Sequence, residues 1–120
     1  MNFINNIMEN REIKFRVWSL ASEKMSEPFS INQRLNQIFN TDSLLMQYTG
    51  LKDKNAVEIY EGDIIEIFDD ESTKGQVVFN EGSFRLFEKT TYYSHLSAYN
   101  PISMCEIIGN IYQNPELCNQ

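Results

Sequence analysis

From Glu12 to Trp18 the chain alternates, with Ile13, Phe15 and Val17 on one side and Lys14, Arg16 and Trp18 on the other, the period-two pattern of a half-buried strand. The period changes at Ser30. Gln33 follows three residues on, as in a capping box, and Ile31, Leu35, Ile38 and Phe39 fall at helical spacing, so the segment from Ser30 to Phe39 predicts a short helix. Leu44 to Tyr48 returns to strand character, and Gly50 to Asn55 supplies turn residues. The densest apolar strand runs from Ile64 to Phe68, launched by Glu61-Gly62-Asp63, where a glycine can take the backbone of a tight bend. Asp69 to Lys74 reads as a charged loop. Gly75 to Phe79 and Ser83 to Phe87 then form a hairpin across Asn80-Glu81-Gly82, a three-residue connection ending in Gly. Tyr92 to Tyr99, polar and aromatic, is compatible with a strand or an exposed loop. Met104 to Tyr112 closes the series, and Asn114-Pro115 ends it because proline cannot donate to a ladder. A terminal turn follows, with Leu117 docked onto the body of the domain.

About six short strands and one short helix predict a mostly β protein with a minor α element, a small closed or partly open β-barrel-like domain that buries its apolar face within one chain. At 120 residues there is material for one domain and one core. Residues 1–10 have no clear period and read as a flexible lead, 11–117 as the β-barrel domain and 118–120 as a tail; Met8 is a second candidate start. No apolar run approaches the roughly 20 residues of a membrane span, and no charged segment followed by an apolar one opens the chain, so a soluble, cytoplasmic protein is expected. Cys105 and Cys118 are then expected as free thiols, and neither has a metal-binding neighbour at suitable spacing.

Charge changes this picture more than composition does. The net charge is −7, and the window from Glu58 to Glu71 holds seven acids (Glu58, Glu61, Asp63, Glu66, Asp69, Asp70, Glu71) and no base. The remaining ten acids balance the ten Lys and Arg, so the whole excess sits in fourteen residues. Nucleic-acid binders need the opposite sign on their contact face, which disfavours DNA or RNA across this window. The adjacent acids also lack the alternating oxygens and intervening glycine of a calcium loop, so no metal and no cofactor are assigned. A solvated acidic face and an acidic recognition surface are the two readings left for it.

His95 is the sole histidine, and no Gly-x-Ser-x-Gly elbow, phosphate loop or His-Glu-x-x-His pair accompanies it. A loop histidine without a catalytic task is the simpler account, and no catalytic residue is assigned. Tyr92, Tyr93 and Tyr99 flank His95, and with Phe84 and Phe87 they offer either sheet packing, a protein contact or a stacking platform for single-stranded nucleic acid.

One stretch is more specific than all of these. Met46-Gln47-Tyr48-Thr49-Gly50-Leu51-Lys52-Asp53-Lys54-Asn55 runs into Ile59-Tyr60-Glu61-Gly62-Asp63-Ile64, preceded by Arg11-Glu12-Ile13-Lys14-Phe15-Arg16-Val17-Trp18 and followed by Gly75-Gln76-Val77-Val78-Phe79 and Ile108-Gly109-Asn110-Ile111-Tyr112-Gln113-Asn114-Pro115-Glu116-Leu117. These four blocks, in this order, resemble the YopX family of bacteriophage and prophage proteins. The resemblance implies a compact, mostly β, barrel-like fold and a phage or prophage origin, and it carries no assigned chemistry. The family usually continues Lys-Asn-Gly-Lys where this chain has Lys54-Asn55-Ala56-Val57, which argues against an Asn-Gly hairpin turn here. The segment from Ser30 to Asp42 has no counterpart in those blocks.

The expected function is a non-enzymatic accessory protein that binds a host or phage protein through the acidic window, one form being an inhibitor whose carboxylates imitate a phosphate backbone. A single-stranded nucleic-acid binder using Tyr92, Tyr93, His95 and Tyr99 is the alternative. A homo-oligomer stays open.

Overall fold

The structure is a computed structural model that describes residues 12–30, 42–68, 73–88, 91–96 and 104–119. The chain is mostly β and barrel-like, built from two five-stranded antiparallel sheets. The first sheet contains β1 (Lys14–Ser19), β2 (Lys24–Met25), β3 (Phe29–Ser30), β4 (Ser43–Lys52) and β5 (Glu58–Tyr60), and it curls into a half-barrel. The second orders β6 (Asp63–Ile67), β7 (Thr73–Asn80), β8 (Ser83–Glu88), β9 (Thr91–His95) and β10 (Cys105–Asn110) as β10-β6-β7-β8-β9. A short 3-10 turn, Pro115–Asn119, follows and takes in Cys118 of the expected tail.

Among the described residues ten strands stand where about six were expected, and the differences have local causes. Strands β2 and β3 have two residues each and β5 has three, too short for any periodicity to register. Ser30, the expected helix start, ends β3 opposite Lys14; the rest of that helix lies outside the described residues. Thr73 and Lys74, assigned to the charged loop, open β7. The hairpin after β7 closes with two residues instead of three, Glu81 and Gly82, both at positive φ (51° and 81°), the backbone that matches the twist of its strands. In the ambiguous segment, Thr91–His95 forms the edge strand β9.

The largest correction concerns Gly50, which belongs to β4 and not to the turn. Tyr48 pairs with Tyr60 and Lys52 with Glu58, so β4 carries extra residues opposite Ile59 and bulges. Gly50 takes φ 85° there, and the Thr49 hydroxyl replaces the missing ladder by donating to the Ile59 carbonyl at 2.8 Å and accepting from the Leu51 N–H at 3.1 Å. The turn proper spans residues 53–57.

That turn forms with Ala56 at the position where the resemblance leads one to expect Gly. Ala56 N–H donates to the Asp53 carbonyl at 2.9 Å, and Ala56 itself sits at φ 63°, the left-handed region that disfavours a Cβ. Replacing Ala56 with Gly is therefore expected to stabilise the protein by about 1 kcal/mol, read as a higher urea midpoint at unchanged slope.

The core lies between the sheets. Ile65 and Ile67 from β6, Val77, Leu86, Leu96 and Cys105 gather around Ile59 of β5, with Leu51, Phe84 and Ile107 packed against them. Gly62 joins the sheets from a bend at φ 88°. Its N–H donates to the Val77 carbonyl, its carbonyl accepts from Ile111 N–H, each at 2.9 Å, and the Met46 sulfur would lie 3.0 Å from a Cβ placed there. Among the described residues no helix is long and apolar enough to cross a membrane.

Candidate functional site

The first half of the acidic window is drawn into the fold. On β1, Lys14 and Arg16 share a face with Trp18, and the register Arg16 to Met46 and Tyr48 to Tyr60 sets that face against Tyr48 and Tyr60. It is the more buried side of the strand at Trp18, and its cations meet carboxylates from β5 and β6.

Glu58 pairs with Lys14 and accepts from the Tyr60 hydroxyl at 3.2 Å. Lys14 also reaches Glu12 at 3.0 Å and lies 5.1 Å from the Tyr48 ring centroid. Glu58 first and Glu12 second hold the Lys14 ammonium well above its ordinary value. Burial, and then the Glu58 charge, push the Tyr60 hydroxyl up to about 12. Glu61 accepts the Gln47 N–H at 2.9 Å while its own N–H donates to the Gln47 carbonyl at 3.0 Å, clasping the bend to β4.

Asp63 is 2% exposed, so it is withdrawn from the candidate contact surface. Its Oδ1 takes an Arg16 Nη2–H at 2.7 Å and its Oδ2 the Tyr60 N–H at 2.8 Å. The same Nη2 reaches the Glu61 carbonyl at 3.3 Å, and the guanidinium lies 4.8 Å from the Tyr60 ring centroid. Burial pushes the Asp63 carboxyl above its ordinary value against the opposing pull of Arg16.

Glu66 is different. It stands half-buried on β6 between Glu106 of β10 and Lys74 of β7 in the ladder. Lys54, Phe68, Met104 and Glu106 adjoin it, residues that the sequence did not single out. For Phe68 and Glu106 the signal was strand parity combined with the β6 to β10 register, which no local pattern reveals. Asp69, Asp70 and Glu71 lie outside the described residues, as does Tyr99. Tyr92, Tyr93 and His95 fall on β9 at the edge of the second sheet, with His95 in register with Arg85 and Tyr92 with Phe87.

Cys105 is fully buried and its thiol is pushed up by burial, which is the environment of a packing residue and not of a nucleophile. Among the described residues no group of three or more His, Cys, Asp or Glu could hold a metal ion.

The model of the YopX protein family matches residues 5–119, nearly the whole chain. The chain belongs to the YopX family. The crystal structure of protein EF1440 from Enterococcus faecalis is similar to this YopX domain, with a TM-score of 0.63 at 22% identity over 91% of this chain and 99% of that one. At that identity the likeness supports the fold. No curated protein sequence matches the chain. In this YopX protein the signature from Met46 to Asp63 has a structural account. Thr49 and Gly50 make the bulge, Asp53 the turn, and Glu61, Gly62 and Asp63 the clasp between the sheets.

Proposed function

We propose that this YopX protein is a non-enzymatic phage or prophage accessory protein that binds a basic protein partner in the cytoplasm of its bacterial host. The observation that carries this reading is the placement of charge. The entire excess of −7 falls between Glu58 and Glu71, and among the described residues Glu58 pairs with Lys14 and Asp63 with Arg16, both in its first half. Glu66 follows on the outer side of β6, and Asp69, Asp70 and Glu71 continue the sequence. A concentration of negative charge speeds encounter with a basic surface and rejects acidic competitors.

The test is capture from a lysogenic or infected host with wild-type protein and with a variant carrying Glu66→Lys, Asp69→Lys, Asp70→Lys and Glu71→Lys. A partner retained by the wild type is expected to weaken by about tenfold or more on reversal, with a slower association rate at low salt. Equal retention by both proteins would remove the acidic surface from the function.

A further inference from the structure

At the C-terminal end of β6 the outer face of the second sheet becomes apolar. Phe68 follows β6 two residues after Glu66 and continues its side, and Met104 stands two residues before Glu106 in the 3-10 conformation that leads into β10. The register Glu66 to Glu106 then sets Phe68 beside Met104, and Phe68 N–H donates to the Met104 carbonyl at 2.8 Å. Both side chains are open to solvent, Phe68 at 40% and Met104 at 43%. Lys54 reaches this patch from the turn after β4. Its Nζ lies 4.3 Å from the Phe68 ring centroid and 3.2 Å from Glu106, while its backbone N–H donates to the Cys105 carbonyl.

Two features of this patch point to a ligand class. Glu66 and Glu106 oppose each other directly in the ladder, an arrangement that destabilises a sheet, and Lys54 pairs with only one of them. Lys74 is the other ladder neighbour of Glu66. A broken local rule beside exposed apolar side chains is characteristic of a working surface. Lys54 also shows what the patch accepts, an ammonium seated on a ring face with a carboxylate alongside.

We propose that Phe68 and Met104 form the apolar anchor of the partner site and that Glu66 and Glu106 select, next to that anchor, a basic side chain of a protein segment. The proposal rests on the acidic-surface reading above and names its centre. Arginine suits the site better than lysine, since its flat guanidinium stacks on an aromatic ring and binds carboxylates in pairs.

The experiment uses three labelled peptides of equal length, one alternating arginine and leucine, one of lysine and glycine with the same charge, and one alternating glutamate and leucine. Binding to the full chain is read by fluorescence anisotropy and mapped by amide shifts. The arginine-leucine peptide is expected to bind tightest, with shifts centred on Phe68, Met104 and Glu106. Phe68→Ser and, separately, Met104→Ser should weaken it by about tenfold and leave the lysine-glycine peptide unchanged. Binding that survives both substitutions, shifts centred elsewhere, or equal binding of the glutamate-leucine peptide overturns this site and leaves the acidic reading standing. If neither cationic peptide binds, both fall. Both residues are exposed, so unchanged Trp18 fluorescence confirms that the variants are folded.

Discussion

Replacing Asp63 with Ala should cost about 3–5 kcal/mol, because it strands the Arg16 guanidinium in the interior without its carboxylate. The Tyr60 N–H loses its acceptor in the same step, and Arg16 Nε already has no partner. Against a total of about 5–15 kcal/mol for a domain, this brings the protein close to unfolding. Asp63→Asn separates charge from geometry. Its one oxygen can serve Arg16 or Tyr60 but not both, so about 1–3 kcal/mol is expected. The pH dependence has a definite sign. Burial outweighs Arg16 and raises the folded pKa of Asp63, so its contribution is complete below the ordinary value of 3.8 and is lost as the pH rises through the folded value. The advantage of wild type over Asp63→Asn, from urea unfolding, should therefore shrink as the pH rises above the ordinary value of 3.8. An advantage that grows over that range would mean that pairing with Arg16 outweighs desolvation.

Local pattern carried much of the fold. The alternation at β1, the dense apolar run at β6 and the glycine-bearing turn between β7 and β8 each lie within a few residues, which is the range over which period and turn chemistry act. What escaped depends on contacts between distant positions. Gly50 reads as a turn residue by composition, yet it sits inside β4 because Thr49 bonds to Ile59 and turns an apparent break into a bulge. The inner face of β1 could not be told from its polarity, since the face with Lys14 and Arg16 is inward only because Glu58 and Asp63 meet it from more than forty residues away.

The candidate site was legible to a similar depth. Counting charges located the excess, but counting treats every carboxylate alike, and the fold does not. Glu58, Glu61 and Asp63 serve as acceptors for the strands around them, which leaves Glu66 as the described member of the window beyond the structural clasp. The apolar residues beside it were invisible for the complementary reason. Phe68 and Met104 read as ordinary strand residues until the backbone hydrogen bond between them sets them side by side just beyond the ladder.

The second large effect is expected at Asp53, whose carboxylate is 5% exposed and accepts three backbone N–H groups. Oδ1 takes those of Asn55 and Val57 at 2.8 and 3.0 Å, and Oδ2 takes that of Ile107 at 3.0 Å. One side chain thus closes the turn after β4 and covers the outer edge of β10, a row of backbone groups that would otherwise be open to another strand. Asn55 and Val57 are exposed, so water can replace Asp53 there, whereas Ile107 is half-buried and its N–H would be orphaned. Asp53→Ala should accordingly cost about 3 kcal/mol, and Asp53→Asn, with one oxygen to share between turn and strand, about half as much. The decisive readout is local. Amide exchange at Ile107 should accelerate more than at Val77 across the sheet, and Cys105, adjacent to the released edge, should react faster with a thiol reagent than its buried state allows in the wild type. Uniform acceleration at both amides would show that Asp53 supports the whole domain and does not act specifically as the cover of β10.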